Sequence, residues 1–524
     1  MRFTKQNTMP NQYKPHRSYP PPSWIIILTL AVIKFVLPFI LQSPVYELQR
    51  DEYLYYQQGL HFDIGYMENP PLLSYLGMIS SWLGGSTFWI KFWPCLFGAA
   101  TLIITCLITA ELGGKKFAQF LACICLLTGA YMRVYFLFQP NFLDIFFWTL
   151  AVYFIIRYIN DKQSKFLYAF TISLALGFWS KYSVVFFAAS LVLALLLSKH
   201  RKLFLEKKFY TAAALSLLLI LPNIWWQYDH NWPLIHHMKE LQETQLQFVS
   251  PVDFIKEQVL MLLPAVLVWI AGVVWVSRQS QWRFIALSWL FVVALLLFGR
   301  GKSYYALGAY PMLLAAGAVA WESWSARMRW IRYVMCILII GFTALIVPLL
   351  LPVYTPEKLA AFNKRNGFKH KWEDLKEHEL SQDFADMLGW KELTQKTEQF
   401  FNSLPDSTKA NTAIFGGSYG HAGSLKFYGK DDYFKRKVIS TNGSFLLWIP
   451  DRLYFKHLLF LNEDIPSEAT ELFKHFEKTT MIDSVTNHFS RQLGDKIVFF
   501  ENIDSTGLKM IQGRFEEMKK QFRR

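Results

Sequence analysis

Along the first 351 residues the apolar positions form unbroken runs, not a stripe or an alternation. Eleven runs of about 16–21 residues, each long enough to cross a bilayer as a helix, lie near 23–41, 91–110, 117–135, 142–159, 166–180, 183–198, 209–226, 258–277, 283–299, 304–321 and 333–351. They predict as many transmembrane helices. The stretch LLSYLGMISSWLGG, directly after Pro70-Pro71, predicts an amphipathic helix on the membrane surface. The first run is too long for a signal-peptide core and no small-x-small cleavage site follows it, so it reads as an uncleaved span. Residues 1–22 are polar and proline-rich and read as a disordered tail. From 352 to 524 the pattern is that of an ordinary soluble domain. Helical stretches around 382–402 and 466–478 alternate with short β-like runs at Thr412–Phe415, Phe445–Trp448 and Ile497–Phe500. The expected architecture is a polytopic α-helical membrane region, 23–351, followed by an α/β or α+β domain, 352–524.

Composition adds mainly exclusions. With 53% hydrophobic and 18% charged residues among 524, intrinsic disorder, collagen and a small disulfide scaffold are ruled out. A net charge of +15 would raise nucleic acid as a partner of a soluble protein, but no binding motif accompanies it and none is expected here. Cytoplasmic loops of membrane proteins collect Lys and Arg. If the N-terminus is cytoplasmic, the inner segments carry 18 of these cations and the outer ones 8. An odd number of spans then places 352–524 outside, on the same face as two long loops, about 42–90 and 227–257. Chemistry is expected on that face. The five cysteines, Cys95, Cys106, Cys123, Cys125 and Cys336, all fall in apolar runs and read as small buried hydrophobes.

Several groups could carry chemistry there. Asp51 and Glu52 follow the first span; adjacent acids beside a membrane suit a general base or a polar-substrate site, and equally solvated loop charges. Glu68, in GYMENPP, is held in a proline-stiffened segment, although a simple turn before the surface helix explains it too. Asp144, in QPNFLDIFFW, sits at the outer start of a span with Asn141 three residues earlier on the same face. An ionisable group at that depth is functional by default, and helix capping is a compatible second role. Arg300 and Lys302, followed by Tyr304 and Tyr305, form a phosphate cradle or an interfacial belt of snorkelling cations and aromatics. Lys181, in WSKY, presents the same pair of readings. His230, His236 and His237 accompany Glu240 and Glu243 in the second long loop without the HExxH spacing. Metal binding, substrate hydrogen bonding and ordinary surface histidines stay open.

Taken in order, Asp51-Glu52, GYMENPP at 65–71, QPNFLDIFFW at 139–148, WSKY at 179–182 and GKSYYALGAYP at 301–311 resemble the lipid-linked-sugar glycosyltransferases of the GT-C class. The nearest likeness is to the bacterial branch of the protein O-mannosyltransferase-like family, which includes the aminoarabinose transferase of lipid A. FGGSYGHAGSLKFYG at 415–429 is similar to a segment of the outer domain in related members, with no assigned role. The resemblance implies a GT-C fold and transfer of a sugar, with inversion, from a polyprenyl-phosphate carrier to a lipid, glycan or protein hydroxyl. It makes Asp51 the general base, with Asp144 as a second catalytic acid. Glu52, Glu68, Asn69, Asn141, Lys181, His237, Lys302, Tyr304 and Tyr305 would contact substrate, the cations stabilising the departing phosphate. It implies no required cofactor. Some relatives bind a metal, for which Glu68 and His237 would be the candidates here. For a bacterial host it also implies the inner membrane and undecaprenyl phosphate, and for any other host dolichyl phosphate, with membrane lipids as partners. The chain departs from the pattern at Asn69, where the aminoarabinose branch has Lys, and at Asn141, where many relatives place their second acid.

Two other readings fit the composition. A flippase for lipid-linked saccharides predicts ionisable groups near span midplanes and paired internal repeats; the acids here sit at outer span ends, and no repeat is visible. A non-catalytic scaffold leaves the ordered set of outer-face acids and cations without a purpose.

Overall fold

A computed structural model describes residues 19–463 and 470–523; most of the expected N-terminal tail lies outside the described residues. All eleven apolar runs are helical, but not all are continuous. Among the described residues, five helices are long and apolar enough to cross a membrane: Trp24–Leu41, Thr87–Glu111, Pro140–Asp161, Lys207–Asp229 and Trp330–Leu350. Two bent helix pairs reach the same length and hydropathy when each is taken as one, and shorter apolar helices such as Lys116–Leu126 and Arg283–Phe298 stand beside them. Much of the surface of these helices is apolar, including Ile25, Val32, Leu217, Ile337 and Leu345. Water would oppose such a surface and a lipid bilayer matches it. The chain is a polytopic helical membrane protein.

Three of the expected spans are broken near one end. The 117–135 run is a helix, Lys116–Leu126, a turn, and a short helix, Ala130–Val134. The 258–277 run bends by 67° between Pro251–Leu260 and Leu263–Arg278. The two breaks meet, because the Ala130 N–H donates to the Met261 carbonyl at 2.8 Å. Gly129 turns there at φ +59 with the Met261 carbonyl where a side chain would stand, so only glycine fits. The 304–321 run begins as a 3₁₀ turn, Ser303–Ala309, and becomes α-helical at Pro311. A proline in the first turn of a helix removes an N–H that has no partner anyway.

The surface helix expected after Pro71 is present as Leu72–Trp82 and packs on Arg50–Leu60. The cysteines are free, four buried and Cys336 partly so.

The C-terminal residues build a five-stranded mixed sheet in the order Val438–Ile439, Thr412–Gly416, His457–Asn462, Lys496–Ile503, Phe476–Ser484. Its first three strands are parallel and its last two antiparallel. Strand alternation divides the side chains cleanly. Ala413, Phe460, Val498 and Phe500 face the helix Ser505–Lys520. Ile414, Leu459, Leu461 and Phe499 face the helices Trp390–Ser403 and Tyr419–Tyr428, in a core continuous with that of the membrane helices. Two local expectations are corrected. Phe445–Trp448 is a helical turn, not a strand: Leu446 and Leu447 join the core beneath Ser505–Lys520, while Phe445 and Trp448 join the opposite one. Within 466–478, residues 464–469 lie outside the described set, Thr470–Phe473 is a single helical turn, and an edge strand starts at Phe476.

Candidate functional site

The helix Arg50–Leu60 opens with a capping box. The Gln49 side-chain oxygen accepts the Asp51 N–H at 2.8 Å, and the Glu52 carboxylate accepts the Gln49 N–H at 2.7 Å. This turns Glu52 inward. Its two oxygens take the Lys91 ammonium at 2.6 and 2.7 Å, and one also takes the Phe138 N–H at 2.6 Å. Glu52 has no exposed surface, so the substrate-binding role expected for it is corrected. It is a structural counter-ion.

Asp51, one residue earlier and so about 100° round the helix, points into a cavity of about 660 Å³. Its Oδ1 accepts the Tyr419 phenol at 2.7 Å and, more distantly, Arg50 Nε at 3.4 Å; its Oδ2 accepts the Gln139 amide at 3.1 Å. Glu68, Asn141, His237, Lys302 and Tyr304 line the same cavity. Residues scattered from position 51 to position 304 are thus brought to one space, between the two long loops. One wall is apolar, formed by Leu260, Met261, Leu307, Ile346, Leu349 and Leu350 beside the broken spans. The other end is polar and partly built by the C-terminal residues Glu373, Asp383, Asp386 and Tyr419.

Glu68 is clasped by the C-terminal part of the chain. It accepts the Ser444 N–H at 2.7 Å, the Ser444 hydroxyl at 2.6 Å and the Gln58 amide at 2.9 Å. Asn69 is buried, its amide donating to the Pro70 carbonyl at 2.8 Å, and it does not line the cavity. The contact expected for Asn69 is therefore corrected to a turn-forming role. The metal expectation fits poorly. The Glu68 oxygens already hold three donors, and among the described residues no three His, Cys, Asp or Glu side chains converge as ligands.

Around the span beginning at Pro140, Asn141 faces the cavity and receives the Lys181 ammonium on its Oδ1 at 2.6 Å. Lys181 also lies 3.9 Å from the centre of the Tyr305 ring. Asp144 is one turn deeper and buried, with Ser183 donating to it at 3.0 Å. It does not border the cavity, which corrects its assignment as a second catalytic acid. Lys181 and Tyr305 also sit behind the cavity lining, where they support Asn141 and Tyr304.

Sequence reasoning missed Arg50, Arg133, Gln139, Asp386 and Tyr419. Arg133 reaches the cavity paired to Asp383 at 2.9 Å. Burial pushes the Asp386 carboxyl up to about 6, against the pull of Arg50 and Arg491. Gln139 and Tyr419 both lie in recognisable motifs, QPNFLDIFFW and SYGHAG. Their partner Asp51 is 88 and 368 residues away and could not be read from either.

Residues 68–226 match the family described as dolichyl-phosphate-mannose-protein mannosyltransferase. The lipid A galacturonosyltransferase RgtD of Rhizobium johnstonii is 23% identical over 194 residues, 36% of this chain and 41% of the relative. The chain thus matches less than half the length of that curated relative. Among solved structures, ArnT from Cupriavidus metallidurans bound to undecaprenyl phosphate superposes with a TM-score of 0.58 at 12% identity, over 92% of this chain and 98% of ArnT. Its apo form gives 0.55 at 11% identity, over 91% and 97%. The fold is shared almost end to end. The resemblance drawn from the motifs is borne out.

Proposed function

We propose that the chain is an integral-membrane, inverting glycosyltransferase that moves a sugar from a polyprenyl-phosphate carrier to an acceptor hydroxyl at the outer face of the membrane. The observation that carries this reading is that Asp51 and Lys302 line one cavity, one wall of which is apolar and made by membrane helices. Such a space suits a donor with a lipid tail, a phosphate and a sugar. The fold shared with an ArnT that binds undecaprenyl phosphate supports the same donor class.

In this mechanism the acceptor O–H gives its proton to Asp51 as its oxygen attacks the anomeric carbon. The bond from that carbon to the phosphate oxygen breaks, and its electron pair leaves with the lipid phosphate. The attack comes from the face opposite the leaving group, so the configuration inverts. The phosphate gains charge in the transition state, where Lys302, Arg50 and the Tyr304 hydroxyl lower its energy. No metal enters any step. The likeness to a lipid A galacturonosyltransferase favours a lipid acceptor over a glycan or protein. The eleven apolar runs are the crossings, some of them bent. The N-terminus is cytoplasmic and residues 352–524 are outside, in a bacterial inner membrane.

The test is transfer of label from a panel of polyprenyl-phosphate sugars to lipid and peptide acceptors by the reconstituted protein, with Asp51→Asn alongside. Transfer lost in Asp51→Asn supports both the class and the base. Transfer that survives the substitution removes Asp51 from the role. Label that crosses the bilayer without being transferred would replace the reading with a flippase.

A further inference from the structure

Tyr419 comes from the C-terminal part of the chain, yet its phenol makes the shortest hydrogen bond to Asp51, at 2.7 Å. We infer that Tyr419 is a positioning residue for the base: the C-terminal domain aims the Asp51 carboxylate by holding one of its oxygens. This rests on the glycosyltransferase reading above and deepens it.

Geometry makes the case. Tyr419 and Arg50 both address Oδ1, whereas Oδ2 accepts only the Gln139 amide among the described residues. A carboxylate oxygen offers two lone pairs. Oδ1 is therefore filled, and Oδ2 keeps one lone pair for the acceptor proton. Without the phenol the carboxylate would rotate about its Cβ–Cγ bond and present either oxygen.

Tyr419 is itself held with unusual completeness. It is the first residue of the helix Tyr419–Tyr428, which Ser418 caps by accepting the His421 N–H. Its own N–H donates to Asn442 Oδ1 at 3.1 Å. The His421 ring closes the cap on Ser418 through Nδ1 and reaches Asp495 through Nε2 at 2.6 Å, with both partners buried. Gly420 and Gly423 let this helix lie directly on Arg50–Leu60: a Cβ at 420 would press on Arg50 and Trp390, and one at 423 on Tyr53. This accounts for the SYGHAG segment, whose small residues, histidine and tyrosine all serve the one contact. Burial and the Asp51 charge both hold the Tyr419 phenol well above its usual range, so it stays protonated and able to donate.

The experiment measures transfer kinetics of the full-length protein in nanodiscs, with the polyprenyl-phosphate sugar found active for wild type. Tyr419→Phe removes one oxygen. It is expected to lower kcat about tenfold, the scale of a hydrogen bond to a charged group, with KM for the donor unchanged within about twofold and Tm within about 5 °C. Tyr53→Phe is the control: its hydroxyl joins the same helix pair by bonding Tyr428 at 3.1 Å and does not touch Asp51. Its kcat should match wild type. Equal losses in both variants would mean a merely structural contact and overturn the inference. So would an unchanged kcat in Tyr419→Phe. Wild type that moves no sugar from any donor would overturn the glycosyltransferase reading itself, a result separate from either.

Discussion

Asp51 and Glu52 are consecutive in the chain and face opposite environments: Asp51 opens on a cavity, while Glu52 is sealed against Lys91 at 2.6 Å. Two acids that look interchangeable in the sequence therefore have different work. Glu52→Gln would leave the Lys91 charge buried without its partner, at a cost of about 3–5 kcal/mol. A sharp fall in Tm or in yield of folded protein is expected. Asp51→Asn, at a partly exposed side chain, should leave Tm nearly unchanged and reduce transfer by about 10²–10⁴. Thermal melts and transfer rates on the two variants check the contrast.

Glu68 ties the first long loop to the C-terminal part of the chain through Ser444. Glu68→Ala leaves the Ser444 N–H and hydroxyl without their acceptor, at a cost of about 1–3 kcal/mol. Amide hydrogen exchange around residues 440–448 should accelerate, while that of the strand Lys496–Ile503 should not change.

Glycine at 423 is required by the close approach to Tyr53, whose Cβ lies 2.6 Å from where a side chain would begin. Gly423→Val should destabilise by about 1–3 kcal/mol. Gly513 lies in the helix Ser505–Lys520 with open space around it. Gly513→Ala should instead stabilise by up to about 1 kcal/mol. Opposite shifts of Tm for the two substitutions check this.

Stability should also depend on Glu47. Burial raises its carboxyl from 4.5 to about 7, against hydrogen bonds from Lys391 and Trp390. Above 4.5 the unfolded chain releases that proton while the folded chain keeps it. The contribution of Glu47 is thus most favourable below about 4.5 and declines as pH rises to about 7. Glu47→Gln removes this dependence, so Tm measured from pH 5 to 8 should fall less steeply in the variant than in wild type.

The membrane region was legible because length and hydrophobicity alone define a span. The breaks at Gly129 and Met261 were not, because a bent helix keeps the composition of a straight one. The motifs grouped Asp51, Glu68, Asn141, Lys302 and Tyr304, the resemblance added His237, and these six line one cavity. Glu52, Asn69 and Asp144 turn away from it, and Lys181 and Tyr305 stand behind its lining. At those positions residue type is plain, but not the direction in which a capped helix or a proline turn points the side chain. Phe445–Trp448 misled for a related reason: four apolar residues fit a buried strand or one buried helical turn equally well.

The contact between the helices Arg50–Leu60 and Tyr419–Tyr428 also imposes an order on biogenesis. The first is translated early and its partner some 370 residues later, as the separation of 368 between Asp51 and Tyr419 records. At about 5–20 residues per second, the early helix waits tens of seconds with an apolar, glycine-matched face uncovered. Synthesis of the helix Tyr419–Tyr428 is therefore the event that covers the early helix and adds Tyr419 to the cavity lining. A chain that stops before residue 419 lacks both the cover on that face and the phenol that bonds Asp51.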